Sequence, residues 1–318
     1  MKWLGLMGSI LVLAGAFAAV SRQEAEWHLL VGGGIEGYLS PCGCTEPMQG
    51  GIRRKVQAYL TLSPKSRTTR VELGPLSSGI GRQDEMKIEA AVEALAAGDV
   101  SAISSSYEDW KFGSAMAANL SRMSKDRLVS TGAPGENHRA TLAHGPFLIG
   151  SWDPRSSQSA AILGSQALSE EEAVSGLTQE AELRGLRPVL LLEDGRDSAQ
   201  RLAQAHPSLA VIVYRSKSNP PLKAALAGRT YLVTPGPQGK SVVRLSFRDA
   251  ELVGQKVVSL GPEIKNHPDA QRIFLTYKQR VKDEGLLDLL PRSEGEEFAG
   301  TKKCLSCHQN EGKVWKAS

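Results

Sequence analysis

The sequence has few cysteines, few aromatic residues and almost no excess of either charge. Its four cysteines form two close pairs rather than a dispersed set, which excludes the disulfide framework of a small secreted domain. Aromatic residues make up 5% of the chain, and the net charge of +4 gives no indication of nucleic acid binding. We find no internal repeat and no low-complexity tract. The length of 318 residues predicts one large or two ordinary globular domains with a hydrophobic core.

A long uncharged apolar run occurs at the N-terminus, from Trp3 to Val20. It follows a single lysine, contains an A-x-A sequence at residues 16–18, and gives way to charge at Arg22. A buried core helix is the alternative, but the terminal position favours a signal peptide or N-terminal anchor over residues 1–21. We therefore expect an exported protein, periplasmic or otherwise extracytoplasmic. It would meet a membrane only through this segment, if the segment stays uncleaved.

Helix and strand patterns alternate along the rest of the chain. The segment "RPVLLLEDG" predicts a strand that is buried on both faces, and Ser169 with Glu172 predicts a capping box at a helix start. From Ala140 to Gln166 the pattern is β-rich, in "ATLAHGPFLIGSW" and "SAAILGSQ". The expected fold class is α/β, a layered β-sandwich flanked by helices.

Three local sequences carry a resemblance to a known family. They are the pair Gly50 and Gly51 followed by Arg53 and Arg54, the "GDVSAIS" stretch, and the closing strands "VTPGPQGKSVVRLSF". Together with the order of elements, they resemble the calcineurin-like metallophosphatase domain of bacterial periplasmic 5′-nucleotidases. The resemblance covers residues 26–260, and residues 261–297 are expected to form a helix and linker.

The resemblance implies a dinuclear metal site, yet the residues needed for that site are missing. Where the family has metal-binding Asp, Asn and His motifs, this sequence has Gly34, Glu36, Pro75, Ser105, Ser106, Glu193, Ser216 and Ser218. Proline and serine cannot replace a bridging aspartate and two imidazoles, and Glu36 and Glu193 can at best hold one hard cation weakly. We expect these positions to gather around one pocket of a decayed, non-catalytic site, so the domain is predicted to be a pseudoenzyme.

The loop after the first strand contains Cys42 and Cys44, separated by one glycine and framed by Pro41 and Pro47. Three interpretations stay open: a strained, easily reduced disulfide, a thiolate pair that binds a soft metal with a further ligand, and two structural thiols. This loop, combined with a phosphatase-like domain and a downstream haem motif, resembles exported multihaem cytochromes. The resemblance implies a redox or soft-metal role for the pair, beside the structural alternative.

The C-terminal segment contains the most specific motif of the sequence. Cys304, two spacers, Cys307 and His308 form the C-x-x-C-H motif that attaches c-type haem. The two thiols bond covalently to haem, and the imidazole is the axial iron ligand. A zinc site would need a fourth ligand, and a redox C-x-x-C pair would open a helix in a βαβ unit. We therefore predict haem c as the cofactor, with His308 binding the iron.

The residues around this motif resemble the opening of tetrahaem-type multihaem cytochromes. The shared features are Phe298, Gly300, Trp315 and Ser318. The resemblance implies a cytochrome c segment over residues 298–318 that is the first part of a longer module. Its partners would be a redox protein or further haem modules. The expected function is therefore electron transfer by an exported c-type cytochrome-like protein.

Two other functions stay open at this point. One is a periplasmic metal-dependent nucleotidase or phosphoesterase that uses unusual ligands. The other is a module that binds a ligand or partner in the cleft of the old active site. Both place the function in the large domain rather than in the C-terminal segment.

Overall fold

The computed structural model describes residues 26–41, 47–62, 64–136, 138–289 and 300–317. The N-terminal segment 1–21 and the pair Cys42 and Cys44 lie outside these residues, as do Phe298 and Ser318. No helix within the described ranges is long and apolar enough to cross a membrane.

The strands of the described residues form two sheets. They are β1 (Trp27–Gly33), β2 (Thr68–Leu73), β3 (Ala102–Ser104), β4 (Leu128–Val129), β5 (Leu142–His144), β6 (Phe147–Trp152), β7 (Arg187–Leu192), β8 (Val211–Tyr214), β9 (Ala225–Ala227), β10 (Thr230–Val233), β11 (Ser241–Arg248) and β12 (Glu251–Ser259). The first sheet has the order β12-β11-β1-β2-β3-β4, and the second has the order β5-β6-β7-β8-β10-β9. Strands β1 to β4 pair in parallel, as do β6, β7, β8 and β10.

The described residues form ten α-helices. They are α1 (Ile52–Thr61), α2 (Arg82–Ala97), α3 (Tyr107–Trp110), α4 (Ser114–Ser124), α5 (Ser156–Leu163), α6 (Glu170–Leu183), α7 (Arg196–Ala205), α8 (Pro268–Asp283), α9 (Gly300–Leu305) and α10 (Gln309–Ala317). The first sheet shares a core with α1, α2, α4 and α8, and the second shares one with α6 and α7. A third core lies between the two sheets. This layered arrangement confirms the predicted α/β sandwich flanked by helices.

Strand β7 shows why a near-continuous apolar run suits this architecture. Val189 and Leu191 are buried in the core between the sheets, whereas Leu190 and Leu192 are buried against α6 and α7. Successive side chains of a strand point to opposite faces, so a strand covered on both sides needs apolar residues at every position. The prediction that this strand is buried on both faces is confirmed.

Two local predictions have different outcomes. The capping box is confirmed, because the Glu172 N–H donates to Ser169 Oγ at 3.2 Å and the Ser169 N–H donates to Glu172 Oε2 at 2.8 Å. The assignment of "SAAILGSQ" to β structure is wrong, since most of this segment belongs to α5. Ser156 Oγ donates to the Asp153 carbonyl at the helix start, and Gly164 ends the helix in the left-handed region with a φ of 66°.

Candidate functional site

Loops that follow parallel strands of both sheets meet at one edge of the sandwich. The carboxyl ends of parallel strands are where an open α/β sheet forms its binding crevices. A cavity of about 660 Å³ lies at this edge, bounded by residues that follow β1, β7 and β8 and by the connection from β10 to β11. Its charged lining residues are Glu36, Glu193, Asp194, Arg215, Lys217 and Lys240.

Glu193 follows β7 and is buried in the wall of this cavity. Its Oε1 atom accepts hydrogen bonds from the Gly74 N–H at 2.9 Å and from Ser104 Oγ at 2.7 Å. Its Oε2 atom is buried without a hydrogen-bond partner in the described part of the chain. Burial raises the pKa of Glu193 to about 8, so the carboxyl group is protonated at neutral pH.

The close approach of Glu193 to the backbone requires glycine at position 74. A Cβ atom added to Gly74 would lie 2.8 Å from Glu193 Oε1 and 3.2 Å from Asp109 Oδ2. The loop after β2 therefore lies directly against two buried acidic side chains from other elements.

Asp109 holds two of the loops at this edge. Its Oδ1 atom accepts hydrogen bonds from the backbone N–H groups of Leu76 at 2.8 Å and Ser77 at 3.1 Å, and Oδ2 accepts from the N–H of Ser106 at 2.9 Å. Burial raises the pKa of Asp109 to about 6. Asp109 thus ties the loop after β2 to the start of α3. Asp109 was not predicted from the sequence, although Ser106 followed three positions later by an acid is a helix-start signal.

A third acidic side chain has a similar role. Asp153, which follows β6, accepts a hydrogen bond from the Tyr107 N–H at 2.7 Å through Oδ2 and one from the Arg155 N–H at 2.9 Å through Oδ1. Backbone donors from three loops therefore occupy the buried acids of this edge. The described acids serve the loops as hydrogen-bond acceptors rather than forming a shared ligand set.

The structure places the positions named from the sequence along this edge of the sandwich. Gly34, Glu36 and Ser216 line one small recess, and Glu36, Glu193 and Ser216 line the main cavity. The Glu36 N–H donates to the Pro75 carbonyl at 3.0 Å, which brings the loops after β1 and β2 together.

The serine positions lie in the adjoining loops. Ser105 and Ser106 directly follow Ser104, whose hydroxyl donates to Glu193. The Ser218 N–H donates to Ser216 Oγ at 3.1 Å, so this hydroxyl already serves as an acceptor for its own loop.

The positively charged part of the cavity comes from three residues that were not predicted from the sequence. Arg215 and Lys217 follow β8, and Lys240 precedes β11. The Arg215 guanidinium lies 3.9 Å from Glu36 Oε1, beyond hydrogen-bond distance. Arg215 and Lys217 flank Ser216 in the sequence, but their convergence with Lys240 depends on the fold.

A buried ion pair supports the end of β1 close to the cavity. Lys55 Nζ lies 2.5 Å from Glu72 Oε1 and donates to the Gly33 carbonyl at 3.3 Å. The Tyr59 hydroxyl donates to Glu72 Oε2 at 2.5 Å, and burial raises the pKa of Tyr59 well above the ordinary value. These contacts join α1 to β1 and β2.

The described ends of the Cys42–Cys44 loop lie beside the cavity wall. A Cβ atom added to Gly50 would lie 3.3 Å from the Gln238 carbonyl, and one added to Gly51 would lie 2.8 Å from Pro41 Cδ. Gln238 lines the cavity, so Gly50 lies at the rim of the cavity. The three interpretations of the cysteine pair stay open, because the pair lies outside the described residues.

The C-x-x-C-H motif forms the junction between α9 and α10. Cys304 and Cys307 are exposed and free, and the His308 N–H donates to the Cys304 carbonyl at 3.0 Å. The His308 side chain is 69% exposed, with Nδ1 3.9 Å from Glu311 Oε2. Both thiols and the imidazole are therefore accessible on one short turn.

The fold of this chain is similar to the folds of several solved structures. A 5′-nucleotidase precursor from Thermus thermophilus superposes with a TM-score of 0.68 at 15% identity, over 81% of this chain and 59% of that chain. The sulfate thiohydrolase SoxB of T. thermophilus superposes with a TM-score of 0.64 at 14% identity, over 80% of this chain and 61% of that chain. The calcineurin-like phosphoesterase YfkN from Bacillus subtilis superposes with a TM-score of 0.62 at 12% identity, over 82% of this chain and 99% of that chain. No protein-family model and no curated protein matches the sequence.

These likenesses show a metallophosphatase-like, 5′-nucleotidase-like fold, in agreement with the resemblance noted in the sequence. The match spans 59% and 61% of the first two proteins, so it does not extend over their whole length. Sequence identities of this size show a similar fold and give no evidence of a shared activity.

The fold family implies bound metal ions, and the residues present here do not fit them. Within the described ranges, no three His, Cys, Asp or Glu side chains are grouped so that they could hold a metal ion. Glu193 is protonated at neutral pH, and backbone donors occupy Asp109 and Asp153. A dinuclear centre needs ionised carboxylates and imidazoles that converge on the ions.

Proposed function

We propose that this chain is an exported c-type haem protein that transfers electrons, and that its phosphoesterase-fold domain is non-catalytic. The observation that carries the proposal is the C-x-x-C-H turn, on which Cys304, Cys307 and His308 are all accessible. Covalently bound haem would supply a one-electron iron couple. Export is supported by the apolar segment at residues 1–21.

The geometry of the turn suits covalent attachment. Each thiol can add across one vinyl group of haem, with sulfur bonding to one carbon and the proton going to the other, so the addition needs no oxidant. His308 lies one residue after Cys307 and carries an exposed imidazole for the iron. Trp315 on α10 is 63% exposed and offers an apolar surface for the haem or for a partner. A redox protein or further haem modules would accept the electron.

Haem attachment is tested by expressing the full chain with a c-type haem maturation system. We expect one covalent haem per chain in the mass spectrum and a haem absorption spectrum that changes on reduction. Cys304→Ala and Cys307→Ala should each lower the covalent haem content, because each removes one of the two thioether bonds. His308→Ala should change the axial ligation spectrum.

Ser306→Ala is the matched control, since it changes a spacer inside the motif and should leave the haem content unchanged. Purified protein that carries zinc at the motif, or that carries no covalent haem under these conditions, would contradict the proposal.

Metal-dependent hydrolysis of phosphate esters is the second candidate, and the likeness of the fold to a 5′-nucleotidase and a phosphoesterase favours it. The donor set opposes it, because Glu36 and Glu193 are the only carboxylates at the aligned positions and no imidazole accompanies them. We expect no turnover of nucleotides or phosphate esters with added Mn²⁺ or Zn²⁺. The assay is run beside a Glu36→Gln, Glu193→Gln double variant. Turnover that disappears in this variant would establish the hydrolase, and turnover that persists in it would indicate contamination.

A further inference from the structure

The wall of the cavity at the edge of the sandwich contains a buried acidic side chain. Glu193 is only 5% exposed, and its Oε2 atom is buried without a hydrogen-bond partner among the described residues. Because Oε1 already accepts two protein donors, a proton on this buried carboxyl group belongs on Oε2. Glu193 therefore lines the cavity as a neutral group and adds no negative charge to it.

Three cationic side chains line the same cavity. Lys217 and Lys240 have no ion-pair partner within the part of the chain that the structure describes, and Arg215 has only the 3.9 Å contact with Glu36. Arginine in such a position can form two parallel hydrogen bonds with a planar carboxylate. The cavity therefore presents hydrogen-bond donors and positive charge.

The N-terminus of α7 adds a further favourable field. Asp194 accepts hydrogen bonds from the Gly195 N–H at 2.8 Å and from Ser198 Oγ at 2.5 Å, so its carboxylate is already engaged. A Cβ atom added to Gly195 would meet nothing within 4 Å, so the backbone at this helix start is open to the cavity. The start of a helix attracts anions through its N–H groups and its dipole.

Charge and size select the ligand class. Arg215, Lys217 and Lys240 stand against the two carboxylates of Glu36 and Asp194, which leaves one positive charge for a singly charged anion. A cavity of about 660 Å³ is far larger than a lone inorganic ion needs and matches the usual size of small-molecule sites. A phosphate ester with two charges would overcompensate the cavity.

We infer that this cavity binds a small organic monocarboxylate directly, without a metal ion. Arg215 holds the carboxylate, and Lys217 and Lys240 supply the surrounding positive charge. The inference concerns the large domain and does not rest on haem attachment at the C-terminal turn.

Binding is measured by isothermal titration calorimetry on the full chain, in buffer containing EDTA, with benzoate, pyruvate and lactate as probes. Inorganic phosphate and adenosine monophosphate are titrated in parallel, with and without Mn²⁺. At least one monocarboxylate should bind in EDTA. Arg215→Ala should weaken its binding at least about tenfold, because a charged hydrogen bond is lost. Lys223→Ala, an exposed lysine outside the cavity, is the matched control and should bind like the wild type.

Glu193→Gln distinguishes a neutral group of the cavity wall from a metal ligand. Glutamine keeps one oxygen to accept from Gly74 and Ser104 and is neutral like the protonated carboxyl group, so carboxylate binding should change by less than about threefold. Circular dichroism of each variant verifies folding. The inference fails if no monocarboxylate binds at millimolar concentration. It also fails if adenosine monophosphate binds more tightly in a Mn²⁺-dependent way that Glu193→Gln abolishes, which would favour the hydrolase. The haem content of the same samples tests the first proposal separately.

Discussion

At the scale of single residues, Glu193 organises this edge of the fold without a metal ion. It connects β7 to the loop after β2 through the Gly74 N–H and to the end of β3 through Ser104 Oγ. The sequence identified position 193 through its place in a family motif. The protonation of this side chain and its unpaired oxygen depend on burial by distant parts of the chain, which no local pattern reports.

The burial of Glu193 predicts a specific dependence of stability on pH. Its pKa is about 8 in the folded protein and 4.5 in an ordinary environment, so the folded state holds a proton that the unfolded chain has lost between these values. The contribution of this group is present in full below pH 4.5 and is lost as the pH rises through about 8. In this window the free energy of unfolding should fall by up to about 1.4 kcal/mol per pH unit because of this proton.

Glu193→Gln should remove this part of the slope, as measured by urea unfolding across the window. Glu36→Gln, which changes a half-buried carboxylate of the same cavity, should keep the slope of the wild type. Identical slopes in the wild type and in Glu193→Gln would show that the side chain is ionised in the folded protein.

At the scale of elements, the pair formed by Lys55 and Glu72 attaches α1 to β2. Both side chains are at most 1% exposed, so each depends on the other for compensation of its charge. Lys55→Met should lower the free energy of unfolding by about 3–5 kcal/mol, because Glu72 is left buried without its cation. Urea unfolding measures this loss.

Lys87→Met is the matched control, because Lys87 forms a partly exposed pair with Asp84 at 3.1 Å. This change should cost less than about 1 kcal/mol. The double variant Lys55→Met, Glu72→Gln should recover part of the loss. Equal costs for the buried and exposed lysines would mean that the buried pair is not formed.

The elements also show where a local pattern fails. The segment "SAAILGSQ" is short and apolar, a pattern that helices and buried strands share. The structure assigns most of it to α5, where Ser159 and Ala160 face the interior. By contrast, β7 and the capped start of α6 follow from strong local signals: an apolar run of strand length and a serine with its paired glutamate.

At the scale of the whole molecule, aromatic side chains join the two sheets into one core. Phe147 of β6 and Phe247 of β11 are packed edge to face with ring centroids 5.8 Å apart, and the Arg187 guanidinium lies over both rings. Phe247→Ala should lower the free energy of unfolding by about 3–5 kcal/mol. The loss should appear in both sheets, because they share this core.

Hydrogen exchange with mass spectrometry tests this coupling through peptides from β1 and β2 and from β7 and β8. Protection should fall by the same free energy in both sets. Leu226→Ala, at an exposed position of β9, should change neither. A loss confined to the first sheet would show that the sheets unfold independently.

Local sequence patterns predict the layered α/β class, the burial of β7 and the place of the C-x-x-C-H motif. These features depend on local periodicity or on residues a few positions apart, which is information that a sequence contains directly. The packing of distant segments brings Glu193, Arg215 and Lys240 to one cavity. It also places Asp109 and Asp153 where they hold neighbouring loops of the same edge. Their chemistry arises from burial and from contacts between residues far apart in the chain. A pKa near 8 at Glu193 and a net positive cavity exist only once both sheets are packed together.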